Sequence, residues 1–209
     1  MKTAQKIKIP ASLVCVAGVN QVKARVIFDK MNELCSFDSA IFLDENRTYE
    51  EYNRFIVYDL AEYIHTSHAL IIQDDGFIIN PSLWRDDFLD YDYIGAVWPI
   101  PNDPISYRTP DNTLIRVGNG GFSLRSKKLL KLAKEKDIPW KSYYGFWNED
   151  GFICCHNRSV YEDADCKFAT EEVAKTFSTE LVGSIDSSFG FHGKRHLVDS
   201  RVHNQVCVL

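Results

Sequence analysis

Leu70-Ile71-Ile72-Gln73-Asp74-Asp75-Gly76-Phe77 is a short apolar run, rich in β-branched residues, that stops at two adjacent carboxylates and a glycine. It reads as a buried strand that delivers two acids to its carboxyl end. In open α/β sheets that end is where ligands bind. Asp-Gly is also a common turn dipeptide, which accounts for Asp75-Gly76 but not for Asp74 at the end of a buried strand. Adjacent carboxylates repel unless a positive charge sits between them, and a divalent cation carrying a phosphorylated substrate meets that need. Asp75 is expected to bind the metal directly, and Asp74 to act through water or on a ribose hydroxyl.

Upstream of this stretch the chain alternates strand and helix signals. Leu13 to Val19 (LVCVAGV) predicts a buried first strand ending at Gly18. Asn20 is placed to cap a helix in which Ile27, Met31 and Leu34 share a face. Ala40 to Leu43 predicts a second strand. Tyr49 to Ile64 predicts a helix on the four-residue recurrence of Tyr52, Ile56, Leu60 and Ile64, and Ala69 to Ile72 is the third strand. A β-α-β-α-β opening implies an α/β fold with a mostly parallel central sheet and flanking helices.

Downstream the texture changes. Prolines at 81, 99, 101, 104 and 110 and glycines at 118, 120 and 121 predict a loop-rich half. Short strands are expected at Tyr93 to Val97 and Gly121 to Leu124. Ser126 caps a basic helix through Lys136, and Thr170-Glu171-Glu172 opens another to about Phe177. No linker divides the chain, so residues 1–209 are expected as one domain, with a nucleotide half over about 1–77 and an acceptor half over about 78–209.

Composition narrows the class. An apolar content of 45% and an aromatic content of 13% supply a sizeable core. A net charge of −5 argues against a protein that coats nucleic acid. No apolar run approaches the ~20 residues needed to span a bilayer. Met1 to Pro10 is basic but lacks the apolar core of a signal peptide. The six cysteines form no CxxC framework and read as reduced thiols, with Cys15 in the core. A cytoplasmic protein is the expectation.

Four further stretches carry chemistry. In Gly118-Asn119-Gly120-Gly121-Phe122-Ser123 the glycines let a ligand approach the backbone of Gly120 and Gly121, with N–H groups offered to a sugar or phosphate oxygen; a plain hairpin turn is the competing reading. In Trp147-Asn148-Glu149-Asp150-Gly151-Phe152, one reading makes Asn148 an ordinary helix cap with acids in the first turn; the other makes Asp150, beside Glu149, a candidate general base. In the stretch from Ser188 to His196, His192 is flanked by small and aromatic residues and can complete an Asp/His metal site; Lys194 or Arg195 can meet a diphosphate. His65, His68, His156 and His203 carry no such signal. Trp98, in Tyr91 to Pro99, is a candidate for stacking on a sugar ring.

These elements occur in the order found in nucleotide-sugar glycosyltransferases of the GT-A class. More closely, Tyr52-Asn53-Arg54, Gln73-Asp74-Asp75, Asp92 to Pro99 (DYIGAVWP), Gly118 to Ser126 (GNGGFSLRS), Glu149-Asp150, Ala174 to Glu180 (AKTFSTE) and Phe189-Gly190-Phe191-His192 resemble the DUF5672 group, a family of unknown function with a glycosyltransferase-like fold. The resemblance implies a GT-A-like, Rossmann-like fold and a Mn2+ or Mg2+ site. Asp75 matches the last acid of a DxD motif whose first position here is Gln73. His192 matches a late histidine that ligates the same metal, and Asp150 the base of inverting members. Ala17, Gly18, Val19 and Asn20 match the seat of uracil and ribose, and Arg54 a basic residue near the nucleotide.

The expected activity is metal-dependent transfer of a sugar from a UDP-sugar to a hydroxyl of a glycan or glycoconjugate acceptor, in the service of polysaccharide or glycoprotein synthesis. Two alternatives are a non-catalytic carbohydrate-binding module and a nucleotidyltransferase. The second wants a glycine-rich basic loop after the first strand, and Gly18 to Lys23 is poor in glycine.

Overall fold

The computed structural model describes residues 6–18, 20–45, 47–142 and 148–206; Val19 and Trp147 lie outside the described residues. β1 (Ile7–Val16), α1 (Gln21–Leu34), β2 (Cys35–Leu43), α2 (Tyr49–Tyr58) and β3 (His68–Ile72) form the expected opening. Then come β4 (Gly76–Ile78), β5 (Tyr93–Ile94), β6 (Phe122–Ser126), α3 (Lys127–Glu135), a helical turn α4 (Glu149–Gly151), α5 (Arg158–Asp163), α6 (Glu171–Phe177), β7 (Ser178–Thr179), β8 (Gly190–His192) and α7 (Ser200–Val206).

Residue period decides how the opening packs. Along β1, Leu13 and Cys15 face Ile27 and Met31 of α1, whereas Val14 and Val16 face Ile56 and Leu130 on the other side. Both faces are covered, so the strand reads as a continuous apolar run. β1 starts earlier than expected because Ile9 and Ala11 are also buried. Pro10 hides this in the sequence; the pairing with β2 shifts register between Ile9 and Ser12, an irregularity of the kind that admits proline in a strand. α2 carries a full capping box between Thr48 and Glu51. It ends at Tyr58 rather than Ile64, and a 3-10 turn at Leu60–Glu62 still buries Leu60.

The main sheet is mixed, with order β2-β1-β3-β6-β5. β2, β1 and β3 run parallel, whereas β6 is antiparallel to β3 and β5 to β6. The expected α/β fold is present, but the sheet is mixed rather than plainly parallel: the loop-rich half inserts β6 against the sense of β3, and β5, antiparallel to β6, returns to the sense of the first three strands. The reversal matters for the site, because Ile72 pairs with Phe122, so the loop that precedes β6 lies at the edge where β3 ends. Gln73 N–H extends that ladder to the Gly121 carbonyl at 2.9 Å.

A second sheet, β4-β8-β7, stands beside the first. β4 pairs antiparallel with β8, placing Gly76 opposite His192 and Phe77 opposite Phe191. Phe77, Phe122, Phe177, Phe189 and Phe191 fill the space between the sheets. Burying such side chains contributes about 1.5–3 kcal/mol each. The five described cysteines are free and buried, Cys15 in the core among them. Among the described residues no helix is long and apolar enough to cross a membrane.

Candidate active site

Two cavities open along the carboxyl edge of the parallel strands. The first, about 270 Å³, is lined by Ala17, Gly18, Asn20, Arg47, Tyr52 and Asp74, among others. The second, about 330 Å³, is lined by Trp98, Tyr107, Asn119, Asp150, His156 and Glu180, among others. Asp75 and His192 stand between them, since Asp75 follows Asp74 and His192 touches Glu180.

The strand end and the second sheet bring Asp75 and His192 together. Asp75 Oδ1 is 3.1 Å from His192 Nε2, and Glu180 Oε1 is 3.5 Å from Nδ1. Burial favours the neutral imidazole, but the two carboxylates outweigh it and raise His192 to about 9. Burial likewise acts to raise the Asp75 carboxyl, and His192, Lys23 and Lys194 together bring it below the usual range. Lys194, in the segment after β8, thus acts electrostatically on Asp75. The imidazole lies flat on the glycine-rich loop: a Cβ at Gly121 would meet its Nε2 at 2.1 Å.

Asp74 belongs to the first cavity. Asn20 Nδ2 donates to Asp74 Oδ2 at 2.9 Å and Lys23 Nζ lies 3.3 Å from the same oxygen. Asn20 is the N-cap of α1 by position, but its side chain makes no cap bond and goes to Asp74 instead. Arg47 is the cation that sequence reading missed. It is paired with Glu45 at 2.7 Å and lies 4.0 Å over the Phe55 ring, yet its buried Nη1 finds no acceptor among the described residues. Arg54, expected here, is exposed and lines neither cavity. On α2 the inward positions are 53, 55, 56 and 57, and Arg54 points the other way.

Asp150 belongs to the second cavity and touches the glycine-rich loop. Gly120 N–H donates to its Oδ2 at 3.1 Å and Gly151 N–H to its Oδ1 at 2.7 Å. The Gly120 N–H, expected to be free for a ligand, is therefore spent on positioning Asp150. Glu149 does not share the cavity. It is buried and paired with Arg125 at 2.9 Å, beneath Gly120, where a Cβ would meet Glu149 Oε1 at 1.9 Å. Burial pushes its carboxyl up and Arg125 pulls against that. Glu149, expected beside Asp150 at the site, is instead turned under the loop toward Arg125.

Trp98 lines the second cavity with its ring already occupied. Tyr107 stacks on it at 4.6 Å and 15°, and Gly118 abuts its edge. Tyr107 therefore offers the outer aromatic face. His156, which carried no signal in sequence, also lines this cavity, and burial lowers its pKa to about 4. Tyr49 OH donates to Asn148 Oδ1, joining the start of α2 to the start of α4.

The Asp75–His192 arrangement fits a divalent ion. Both ring nitrogens of His192 are buried without a directed hydrogen bond, although a carboxylate stands beside each. Two ligands ~2.1 Å from one ion at right angles lie ~3 Å apart, and the Asp75–His192 contact has that spacing. Among the described residues no three His, Cys, Asp or Glu side chains are grouped to hold an ion unaided. The remaining coordination would fall to substrate and water, as is common for Mg2+.

A family model for DUF5672, described as protein of unknown function, matches residues 33–192. The match covers most of the chain, which belongs to that family. It takes in β2 through β8 and ends on His192. No curated protein matches the chain.

Proposed function

We propose that this member of the DUF5672 family is a metal-dependent, GT-A-like glycosyltransferase. It moves a sugar from a nucleoside-diphosphate sugar, UDP-linked by preference, to a hydroxyl of a glycan or glycoconjugate, with inversion. The observation that carries the reading is the approach of Asp75 to His192 at the strand edge, between one cavity sized for a nucleoside and another holding a positioned carboxylate. The strand order and the small second sheet, which brings His192 to the end of β3, support a GT-A-like architecture.

Each residue has a task. Ala17 and Gly18 leave the end of β1 bare for a planar base. Asp74, oriented by Asn20 and Lys23, accepts from a ribose hydroxyl, and Arg47 donates to the nucleotide. Asp75 and His192 would hold Mn2+ or Mg2+, which supplies charge neutralisation for the departing diphosphate. Lys194 adds a cation on the same side. Tyr107 offers a ring to the sugar or acceptor. Asp150 is fixed by two backbone N–H groups and keeps lone pairs for the proton of the attacking hydroxyl. General-base help of this kind contributes ~10² to 10⁴ in rate. Arg125 and Glu149 hold the loop and α4 in place.

The test is to incubate the full chain with Mn2+ and a panel of nucleotide sugars and to measure released nucleoside diphosphate. Release is expected for at least one donor, lost on chelation, and lost in Asp150→Asn with nucleotide binding retained. Turnover unchanged in Asp150→Asn removes the proposed base. A silent panel, with no nucleotide bound and no dependence on Asp75, sinks the enzyme reading and leaves a carbohydrate-binding module; pyrophosphate release from a nucleoside triphosphate would instead mark a nucleotidyltransferase.

A further inference from the structure

His192 is flanked by two carboxylates, and they stand in different relations to it. Asp75 faces Nε2 at 3.1 Å, whereas Glu180 faces Nδ1 at 3.5 Å. Glu180 is itself held: Asn119 Nδ2 donates to its Oε2 at 2.7 Å, leaving Oε1 for the imidazole. Asn119 is buried, with φ at 56°, a left-handed conformation that asparagine tolerates better than most residues. The backbone of Glu180 is tied as well, its carbonyl lying 2.8 Å from His196 Nε2 in the turn after β8. Glu180, held by Asn119 and His196, stands 3.5 Å from one ring nitrogen without a directed hydrogen bond to it, while the other nitrogen turns to Asp75; closing that short gap would give the carboxylate–histidine pairing by which proteins orient a metal-binding histidine. Glu180 addresses Nδ1 and Asp75 addresses Nε2, so the two carboxylates stand at different nitrogens of the ring.

We propose that Glu180 is a positioning residue: it accepts Nδ1–H of His192, so that Nε2 presents its lone pair beside Asp75 to one divalent cation, and Asn119 couples this orientation to the glycine-rich loop. The inference rests on the reading of Asp75 and His192 as the cation's ligands. Loss of such an outer partner costs about 10–100-fold in metal affinity.

The experiment is a Mn2+ titration of the full chain without substrate, followed by the resonance of free Mn2+, with spin-echo modulation reporting a nitrogen bound to the metal. Wild type is expected to bind with nitrogen modulation. Glu180→Ala is expected to bind about 10–100-fold more weakly, with Glu180→Gln between the two and the nitrogen signal weakened in both. Asn119→Gly, which suits the positive φ, serves if the Glu180 variants fail to fold; a smaller loss in the same direction is expected. Wild-type affinity and modulation in Glu180→Ala, or in Asn119→Gly where it alone folds, overturn the proposal. Binding with no nitrogen modulation in wild type, or undiminished in His192→Gln, instead refutes the ligand reading beneath it.

Discussion

Gly121→Ala probes the contact on which the site is built. The added Cβ would sit 2.1 Å from His192 Nε2, 2.3 Å from Cδ2 and 2.6 Å from Cε1, so it lands on the ring itself. Ordinary carbon contacts need ~3.5 Å, and the imidazole must retreat by roughly 1–1.5 Å. The His192 side chain is only 16% exposed and backs onto Glu180 and β8, so the retreat is resisted. Gly121 does not adopt a left-handed φ, which leaves the steric clash as the cost of alanine. Overpacking of this kind costs about 1–3 kcal/mol. In a His192→Ala background the obstacle is gone and the cost of Gly121→Ala falls to near zero. The coupling energy of the pair therefore equals nearly the whole single-mutant penalty. Urea unfolding of the four proteins measures it, provided the slopes agree. An equal penalty in both backgrounds would refute the placement of the ring on the loop, and with it the proposed metal site.

Other perturbations have distinct outcomes. Arg47→Ala is expected to weaken nucleotide binding about 10–100-fold, the range for a hydrogen bond to a charged group, whereas Arg54→Ala leaves it unchanged; calorimetric titration with UDP distinguishes them, and the reverse order would restore Arg54 to the site. Arg125→Met leaves Glu149 buried without its partner and is expected to cost about 3–5 kcal/mol, with most of it recovered in Arg125→Met/Glu149→Leu; a loss below about 1 kcal/mol in the single variant contradicts a buried pair. His156 has a folded-state pKa of about 4, below its unfolded value of about 6.5. The unfolded chain thus binds more protons between these values, and the contribution of His156 is complete above pH ~6.5 and lost as pH falls toward 4. His156→Gln should flatten stability across that window, and an unaltered acid limb would contradict burial as the cause.

The first half of the chain was legible because its elements are long enough to show period. α1 and the strands β1 to β3 announce themselves through alternating or continuous apolar runs, and Asp74-Asp75 follows directly from where β3 stops. The second half was less so. β4, β7 and β8 are two or three residues long, and pairing across distant segments, not local pattern, makes them strands. The antiparallel sense of β6 has no local signature either, so the sheet was expected to be more parallel than it is. The structure sets Asp75 beside His192 and Asp150 beside the glycine-rich loop, whose N–H at Gly120 serves Asp150 rather than a ligand. Arg47 carries no period because it precedes its helix, and Arg54, next in sequence to the inward positions 53 and 55, lies on the exposed face of α2. Glu180 closes the Ala174 to Glu180 stretch with nothing local to mark it; only the folded distance to His192 gives it a role.

The pairing of Gly76 with His192 in the β4–β8 ladder has a consequence for how the site can change. Main-chain bonds dock position 192 against the end of β3, so that seat persists whatever side chain occupies it. Ligand chemistry is thereby separable from architecture. Exchanging the imidazole for a thiolate would favour softer ions, and exchanging it for a carboxylate harder ones, with the strands acting as an unaltered socket. On the proposed ligand reading, one substitution at position 192 would change metal preference while the groove stays as it is.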